Sequence, residues 1–403
     1  MIDIATSDLD FSPIHERMQF YVDENILSCC NTLVMRGLDV LDFKTYGYMD
    51  LESKRPLTDD AIFRVYSSTK LVTSVAAMML YEEGKFALDD PLAKHLPVLA
   101  NLKVLRGDAD SIAAVEPLRM EPTIAQLMSH SAGFSYGWME PTSLIDQAYV
   151  QAGLSGLTNS LDSLENLVEQ IGDLPLADQP GTRWRYSFST DILARLVEVW
   201  SGERFSAFLK RRIIEPLGMV DTDFFVPEEK RDRFTAMYAP TDLMQPMRGG
   251  LVNVDDPFET SFGSPPDFEA GGHGLVSTVA DYLSFVRVLA NQGEWNGVRL
   301  LQPETLAMMR VNQLPPGALV RFMTMELPRT TFGLGFALKE SLADDEPPGA
   351  LGEHYWGGVA GTHSFIAPGA NLALMCFTQR MPGFLHPFSA DFKRLAYEIA
   401  AEV

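Results

Sequence analysis

Apolar residues change their spacing several times along this chain. From about residue 11 to 27, Phe11, Ile14, Met18, Tyr21 and Val22 recur at helical intervals and predict an amphipathic helix. Thr32 to Tyr48 reads as a hairpin: Leu33-Val34-Met35, a turn at Arg36-Gly37-Leu38-Asp39, and a second strand from Val40 to Tyr46. A short β-like run at Ile62, Phe63 and Val65 then gives way to small hydroxyl residues. An apolar run with helical spacing follows and continues to a stop at Gly84.

The middle of the chain, from about 90 to 290, has another character. Helical patterns at Ser160 to Ile171, Asp191 to Trp200 and Phe205 to Ile214 alternate with connections rich in Pro and Gly, such as Pro180-Gly181 and Pro216-Leu217-Gly218. Near its end Ser277-Thr278-Val279-Ala280-Asp281 suits a helix start. Strand signals return at Phe332 to Leu338, His354 to Val359, Thr362 to Ala367 and Leu372 to Thr378, and a closing helix is expected around Ser389 to Ala401.

Strands at both ends with helices between predict one α/β domain built from residues 1–90 and 290–403, with a mainly helical domain, 91–289, inserted and the active site between them. No βαβ alternation occurs, so the expected class is α+β, an antiparallel sheet flanked by the N- and C-terminal helices.

Composition narrows the partners. The 403 residues carry 32 Lys plus Arg against 54 Asp plus Glu, a net charge of −22 with no basic cluster. Neither nucleic acid nor an anionic membrane is expected to bind such a surface. The acidic N-terminus, Met1 to Asp8, lacks the basic and apolar regions of a signal peptide, and no run approaches eighteen apolar residues, so a cytoplasmic location is expected. Cys29, Cys30 and Cys376 are odd in number and form no Cys-x-x-Cys, and the seven His residues show no metal spacing. Core thiols, and no metal or cofactor, are the expectation.

The candidate chemistry starts at Ser67 and Lys70. Three residues apart at a helix start, the two side chains share a face. A serine hydroxyl becomes a useful nucleophile when a partly buried amine takes its proton, and the helix N-terminus supplies N–H donors for the oxyanion that follows. A rival serine exists. Gly133-Phe134-Ser135-Tyr136-Gly137 satisfies the nucleophile-elbow pattern of α/β-hydrolases, but that elbow needs a strand before it, and Thr123 to Met128 reads as a helix. Ser135 is therefore expected as a loop serine bordering the cleft.

Ser67-x-x-Lys70, Tyr186-Ser187 and Trp356-Gly357-Gly358 stand in the order of three motifs of the serine β-lactamase and penicillin-binding-protein family. Leu127 to Gly133, Pro180-Gly181-x-x-Trp184-x-Tyr186, Pro216-Leu217-Gly218-Met219 and Gly272-x-Gly274-Leu275-x-Ser277-Thr278 extend the likeness from about residue 12 to the C-terminus. The chain resembles most the class C-like branch and its family VIII carboxylesterase relatives. The resemblance implies a β-lactamase/transpeptidase-like fold in which Ser67 is the nucleophile and Lys70 and Tyr186 share general-base and general-acid work. It also implies an oxyanion hole made by the N–H groups of Ser67 and Val359.

Two departures from the family pattern bear on the substrate. Trp356 and Gly357 stand where penicillin-type enzymes carry a cation and a hydroxyl for the β-lactam carboxylate, and Phe188 stands where class C enzymes carry Asn. Both losses shift the expectation toward a neutral ester, and a cleft roofed by loops suggests a short acyl chain. Trp356, Gly357, Gly358, Phe188, Ser135 and His363 are the expected substrate-contacting residues. The alternatives are a β-lactamase or D-amino-acid peptidase, an acyltransferase of the same fold, and a non-catalytic binding protein.

Overall fold

Along the strand Cys29–Arg36, alternate side chains enter two different cores: Cys29, Leu33 and Met35 one, Cys30 and Val34 the other. The computed structural model describes residues 2–156, 161–323, 325–344 and 346–401. Its main sheet has eight strands, ordered Thr330–Phe332, Ala337–Lys339, His354–Gly357, Thr362–Ala367, Leu372–Phe377, Cys29–Arg36, Asp39–Asp50 and Arg55–Pro56. Every neighbouring pair is antiparallel. The two ends of the chain meet where Leu372–Phe377 pairs with Cys29–Arg36, and all six residues of that C-terminal strand are buried.

Helices cover both faces. On one, Ile14 and Met18 of Ser12–Asp23 join Phe388, Phe392 and Ala396 of Phe388–Ala400 over Cys30, Val34, Leu374 and Cys376. The Cys30 and Cys376 sulfurs lie 3.6 Å apart there, and all three cysteines are free and buried, as expected of core thiols. On the other face lie Thr69–Glu82 and Val279–Ala290. Residues 69 to 80 of the first are buried without exception, Lys70, Thr73 and Ser74 among them, so from Val75 to Leu80 its sequence is apolar on every face. Ser189–Ser201 packs on that helix, backed by Ile124–Met128 and Leu164–Gly172.

Three boundaries differ from the sequence reading. Phe332 to Leu338 is not one strand but two, parted at Gly333 to Phe336; Gly335 takes φ +93°, and a Cβ on it would fall 2.2 Å from Ser74 Oγ of the helix Thr69–Glu82. Val279–Ala290, at the end of the segment expected as the helical insert, packs on the sheet strands Thr362–Ala367 and Leu372–Phe377. The helix expected from Ser160 starts at Leu164, and Ser160 itself lies outside the described residues. Among the described residues no helix is long and apolar enough to cross a membrane.

Candidate active site

The strand Ile62–Arg64 ends in a single 3-10 turn, Tyr66–Ser68, from which the buried helix Thr69–Glu82 departs. Ser67 keeps partial exposure while Val65, Tyr66 and Ser68 are buried around it. Tyr66 holds φ +41°. That left-handed conformation costs a non-glycine residue roughly 1–3 kcal/mol. The Phe262 ring, 6.2 Å away, and Met237 Sδ, 3.6 Å from the Tyr66 hydroxyl, hold it there. The sheet fixes the turn from the far side: Thr362 Oγ1 donates to Val65 O and Ser68 Oγ donates to Thr362 O, each at 2.9 Å.

One helical turn on, Lys70 Nζ donates to Ser67 Oγ at 3.5 Å, as the three-residue spacing predicts. Its stronger bond goes to Gly272 O at 2.8 Å, with Tyr136 Oη at 3.4 Å. The ammonium also stands 4.5 Å from the centre of the Tyr186 ring. Behind it Asp191, fully buried, accepts from Gly272 N at 2.9 Å and from the Tyr136 hydroxyl at 3.4 Å. Burial holds the Asp191 carboxyl above its usual range against the pull of Lys70, and burial beside Asp191 pushes the Tyr136 phenol well up. Tyr136 thus remains a hydroxyl that links cation to carboxylate.

Tyr186 comes from the segment before Ser189–Ser201 and is caged by rings, with His130 at 4.9 Å and Trp356 at 5.3 Å between centroids. Burial drives the His130 pKa well below its ordinary value, so that ring is neutral. Trp356 Nε1 donates to Tyr186 Oη at 3.2 Å. Beyond Trp356 the backbone closes on the turn that carries Ser67: a Cβ on Gly358 would sit 2.3 Å from both Val65 O and Thr362 Oγ1. Only glycine permits that approach. Val359, next in the chain, lines the same cavity as Ser67, and Gly383 N donates to its carbonyl at 2.6 Å.

Ser67, Tyr186, Trp356, Gly357, Gly358, Val359 and His363 all line one cavity of about 310 Å³. A larger surface hollow of about 600 Å³, around Lys210 and Val220, contains none of them. Burial, with Lys393 nearby, lowers the His363 pKa to about 4, so its imidazole is uncharged at neutral pH. Among the described residues no group of His, Cys, Asp and Glu could hold a metal ion.

Two expected contacts are absent from that cavity wall. Ser135 is fully buried, donating to Asp146 Oδ1 at 2.6 Å and accepting from Arg185 Nε at 2.8 Å. It belongs to a buried ion-pair network and borders no cleft. Phe188 is likewise buried, 4.5 Å from the Tyr136 ring and 6.1 Å from that of Tyr149. It props Tyr136 from behind. Tyr136 and Thr362 are the residues that sequence reasoning misses; the first lies inside the Gly-Phe-Ser-Tyr-Gly motif, directly after Ser135.

A cleft between an antiparallel sheet and inserted helices, entered by serine, tyrosine and the glycine turn in that order, is an arrangement the chain shares with others. A sequence model of the family described as Beta-lactamase matches residues 27–398, and the chain belongs to that family and has its fold. Within it the chain is similar to Protein Rv1367c of Mycobacterium tuberculosis, 32% identical over 374 residues that cover 89% of this chain and 88% of that one. It is also similar to Esterase EstB of Burkholderia gladioli, 28% identical over 402 residues, 94% of this chain and 93% of that one. Among solved structures, that of EstCE1, a hydrolase with promiscuous acyltransferase activity, has a TM-score of 0.78 over 96% of this chain and 98% of that one, at 24% identity.

Proposed function

We propose that this protein is a serine carboxylesterase that works through an acyl-enzyme on Ser67. The observation that carries the reading is the donor set around Tyr186, with Lys70 at 4.5 Å from its ring and the Trp356 indole N–H at 3.2 Å from its oxygen. With Lys70 in its free-amine form, Ser67 Oγ attacks the ester carbonyl as its proton passes to Lys70 Nζ, which becomes the ammonium. The carbonyl oxygen gains charge against the N–H groups of Ser67 and Val359. As the tetrahedral intermediate collapses, Tyr186 gives its proton to the leaving alkoxide, and the phenoxide so formed faces the Lys70 ammonium and the Trp356 N–H. Water then attacks the acyl-enzyme, returning a proton to Tyr186, while Lys70 reprotonates Ser67.

The substrate is a small-molecule ester with a neutral reacting end. Trp356 supplies one N–H to a tyrosine rather than a cation to a carboxylate, and the cavity of about 310 Å³ beside Ser67 is lined mainly by apolar side chains. Similarity to Esterase EstB over 94% of the chain supports the same reading. Intact-mass spectrometry during turnover of p-nitrophenyl butyrate tests it. A butyryl adduct on the wild type that is missing from Ser67→Ala, with turnover lost, is the expected result. A wild type that neither turns over the ester nor reacts with a fluorophosphonate would end the proposal. Adding an alcohol to the same reaction separates hydrolysis from acyl transfer by its products.

A further inference from the structure

The cavity continues past the nucleophile. Gly357 pairs with His363 and Tyr355 with Phe365 across two neighbouring strands, so these four positions share the sheet face that the closing helix Phe388–Ala400 covers. Trp356 points to the opposite face, toward Tyr186. A Cβ at position 357 would lie 2.2 Å from His363 Nδ1. Because residue 357 is glycine, the space beside Ser67 opens over the strand edge into a second compartment, walled by Tyr355, His363, Phe365, Ala390 and Lys393.

Among the described residues, Lys393 is the one cationic side chain on the cavity wall. Its Nζ lies 4.8 Å from the centre of the Phe365 ring and 5.6 Å from that of Tyr355. One hydrogen goes to Glu353 Oε1 at 2.8 Å. Glu353 is itself fully buried and accepts at its other oxygen from Tyr397 Oη at 2.8 Å, which anchors the ammonium from below. The Lys393 side chain retains 20% exposure. An ammonium has three donors, and a pocket for plain hydrocarbon gains nothing from placing one between two aromatic faces.

We infer that the physiological ester carries an apolar arm ending in a carboxylate, and that Lys393 binds this carboxylate in the second compartment while Ser67 attacks the ester carbonyl. This rests on the ester-cleaving reading of Ser67. The aromatic walls take the apolar arm, and the anion meets a cation already held in place by Glu353, so little side-chain entropy is lost on binding.

The test compares matched esters with and without the terminal charge. For a carboxylate on the acyl side, the p-nitrophenyl half-ester of suberic acid is set against p-nitrophenyl octanoate; for one on the alcohol side, 6-acetoxyhexanoate is set against hexyl acetate. The wild type should prefer the charged member of one pair by about tenfold in kcat/KM, and the preference should shrink as salt is raised. In Lys393→Met the ratio should fall to about one. Because that variant strands a buried carboxylate, Lys393→Met/Glu353→Gln is measured beside it and should behave alike. Turnover of the neutral esters without a Lys393-dependent preference overturns this inference alone. Turnover of no ester in either pair overturns the ester reading and this inference with it.

Discussion

Trp356 gives its indole N–H to the phenol oxygen of Tyr186 at 3.2 Å, across 170 residues of chain. The third motif therefore acts on the second, and its aromatic residue is more than a wall. Replacing Trp356 by Phe keeps a ring in the cage and removes the donor. If Tyr186 bears negative charge as the leaving group departs, kcat for p-nitrophenyl butyrate should fall by about tenfold with KM nearly unchanged, the pattern of an interaction made in the transition state. Steady-state kinetics decide. A rise in KM alone would make Trp356 a shaping residue only.

Tyr136 links Lys70, at 3.4 Å, to the buried carboxylate of Asp191, also at 3.4 Å. In Tyr136→Phe the ammonium loses one of its acceptors and Asp191 keeps only the Gly272 amide. Phosphonylation of Ser67 by a fluorophosphonate should slow by about tenfold, because Lys70 is no longer held against the nucleophile. The melting temperature should drop too, since a buried acceptor losing its partner costs about 1–3 kcal/mol. An unchanged labelling rate with a lower melting temperature would confine Tyr136 to a structural part.

Ser135 marks the limit of motif reading. The spacing Gly-x-Ser-x-Gly says nothing about burial, and the Arg185 and Asp146 that consume this hydroxyl lie 50 and 11 residues away in sequence. Ser135→Ala should keep kcat per folded molecule within about twofold, and lower stability by about 1–3 kcal/mol because the buried Arg185 Nε–H loses its acceptor, the Arg185–Asp146 ion pair itself remaining. Parallel urea melts and activity assays would show it, and a loss of kcat in the folded protein would restore Ser135 as a rival nucleophile.

What could be read from the sequence was local or ordered. Ser67 and Lys70 are three residues apart where the 3-10 turn Tyr66–Ser68 runs into the helix Thr69–Glu82, so their contact follows from helical geometry, and the apolar strand Leu372–Phe377 follows from burial on both faces. Tyr186 and Trp356 were legible because they came in a recognisable order. Tyr136, Thr362 and Lys393 were not. Each acquires its place through a partner far along the chain, Lys70 by 66 residues, Val65 by 297 and Glu353 by 40, and no periodicity encodes such a meeting. Phe188 was misplaced for the same reason: position relative to Tyr186 suggested the cleft, but the chain turns into the helix Ser189–Ser201 there and buries the ring behind Tyr136.

Asp281 opens a prediction about pH. It lies in the first turn of Val279–Ala290, where its carboxylate accepts from Asp221 N at 2.7 Å and Thr222 Oγ1 at 3.0 Å. Burial nevertheless outweighs those bonds and raises its pKa from 3.8 to about 6. The folded state thus holds this proton more tightly than the unfolded chain. The resulting stability is complete below the unfolded value of 3.8 and is lost as pH rises through about 6. Buried histidines act in the opposite sense: His354, lowered to about 3 by burial, stabilises above 6.5 and loses that contribution as pH falls. Asp281→Asn leaves the histidines untouched, and its one amide oxygen can take both donors, which now meet a single oxygen of the carboxylate. Near pH 7.5 the variant should be more stable than the wild type by about 1–3 kcal/mol, and near pH 4 the difference should vanish. Urea denaturation of both proteins at the two pH values measures it. A variant equally destabilised at both would mean that the folded protein takes up no proton at Asp281 between the two pH values, the bonds from Asp221 N and Thr222 Oγ1 keeping the carboxylate charged, and would overturn the prediction.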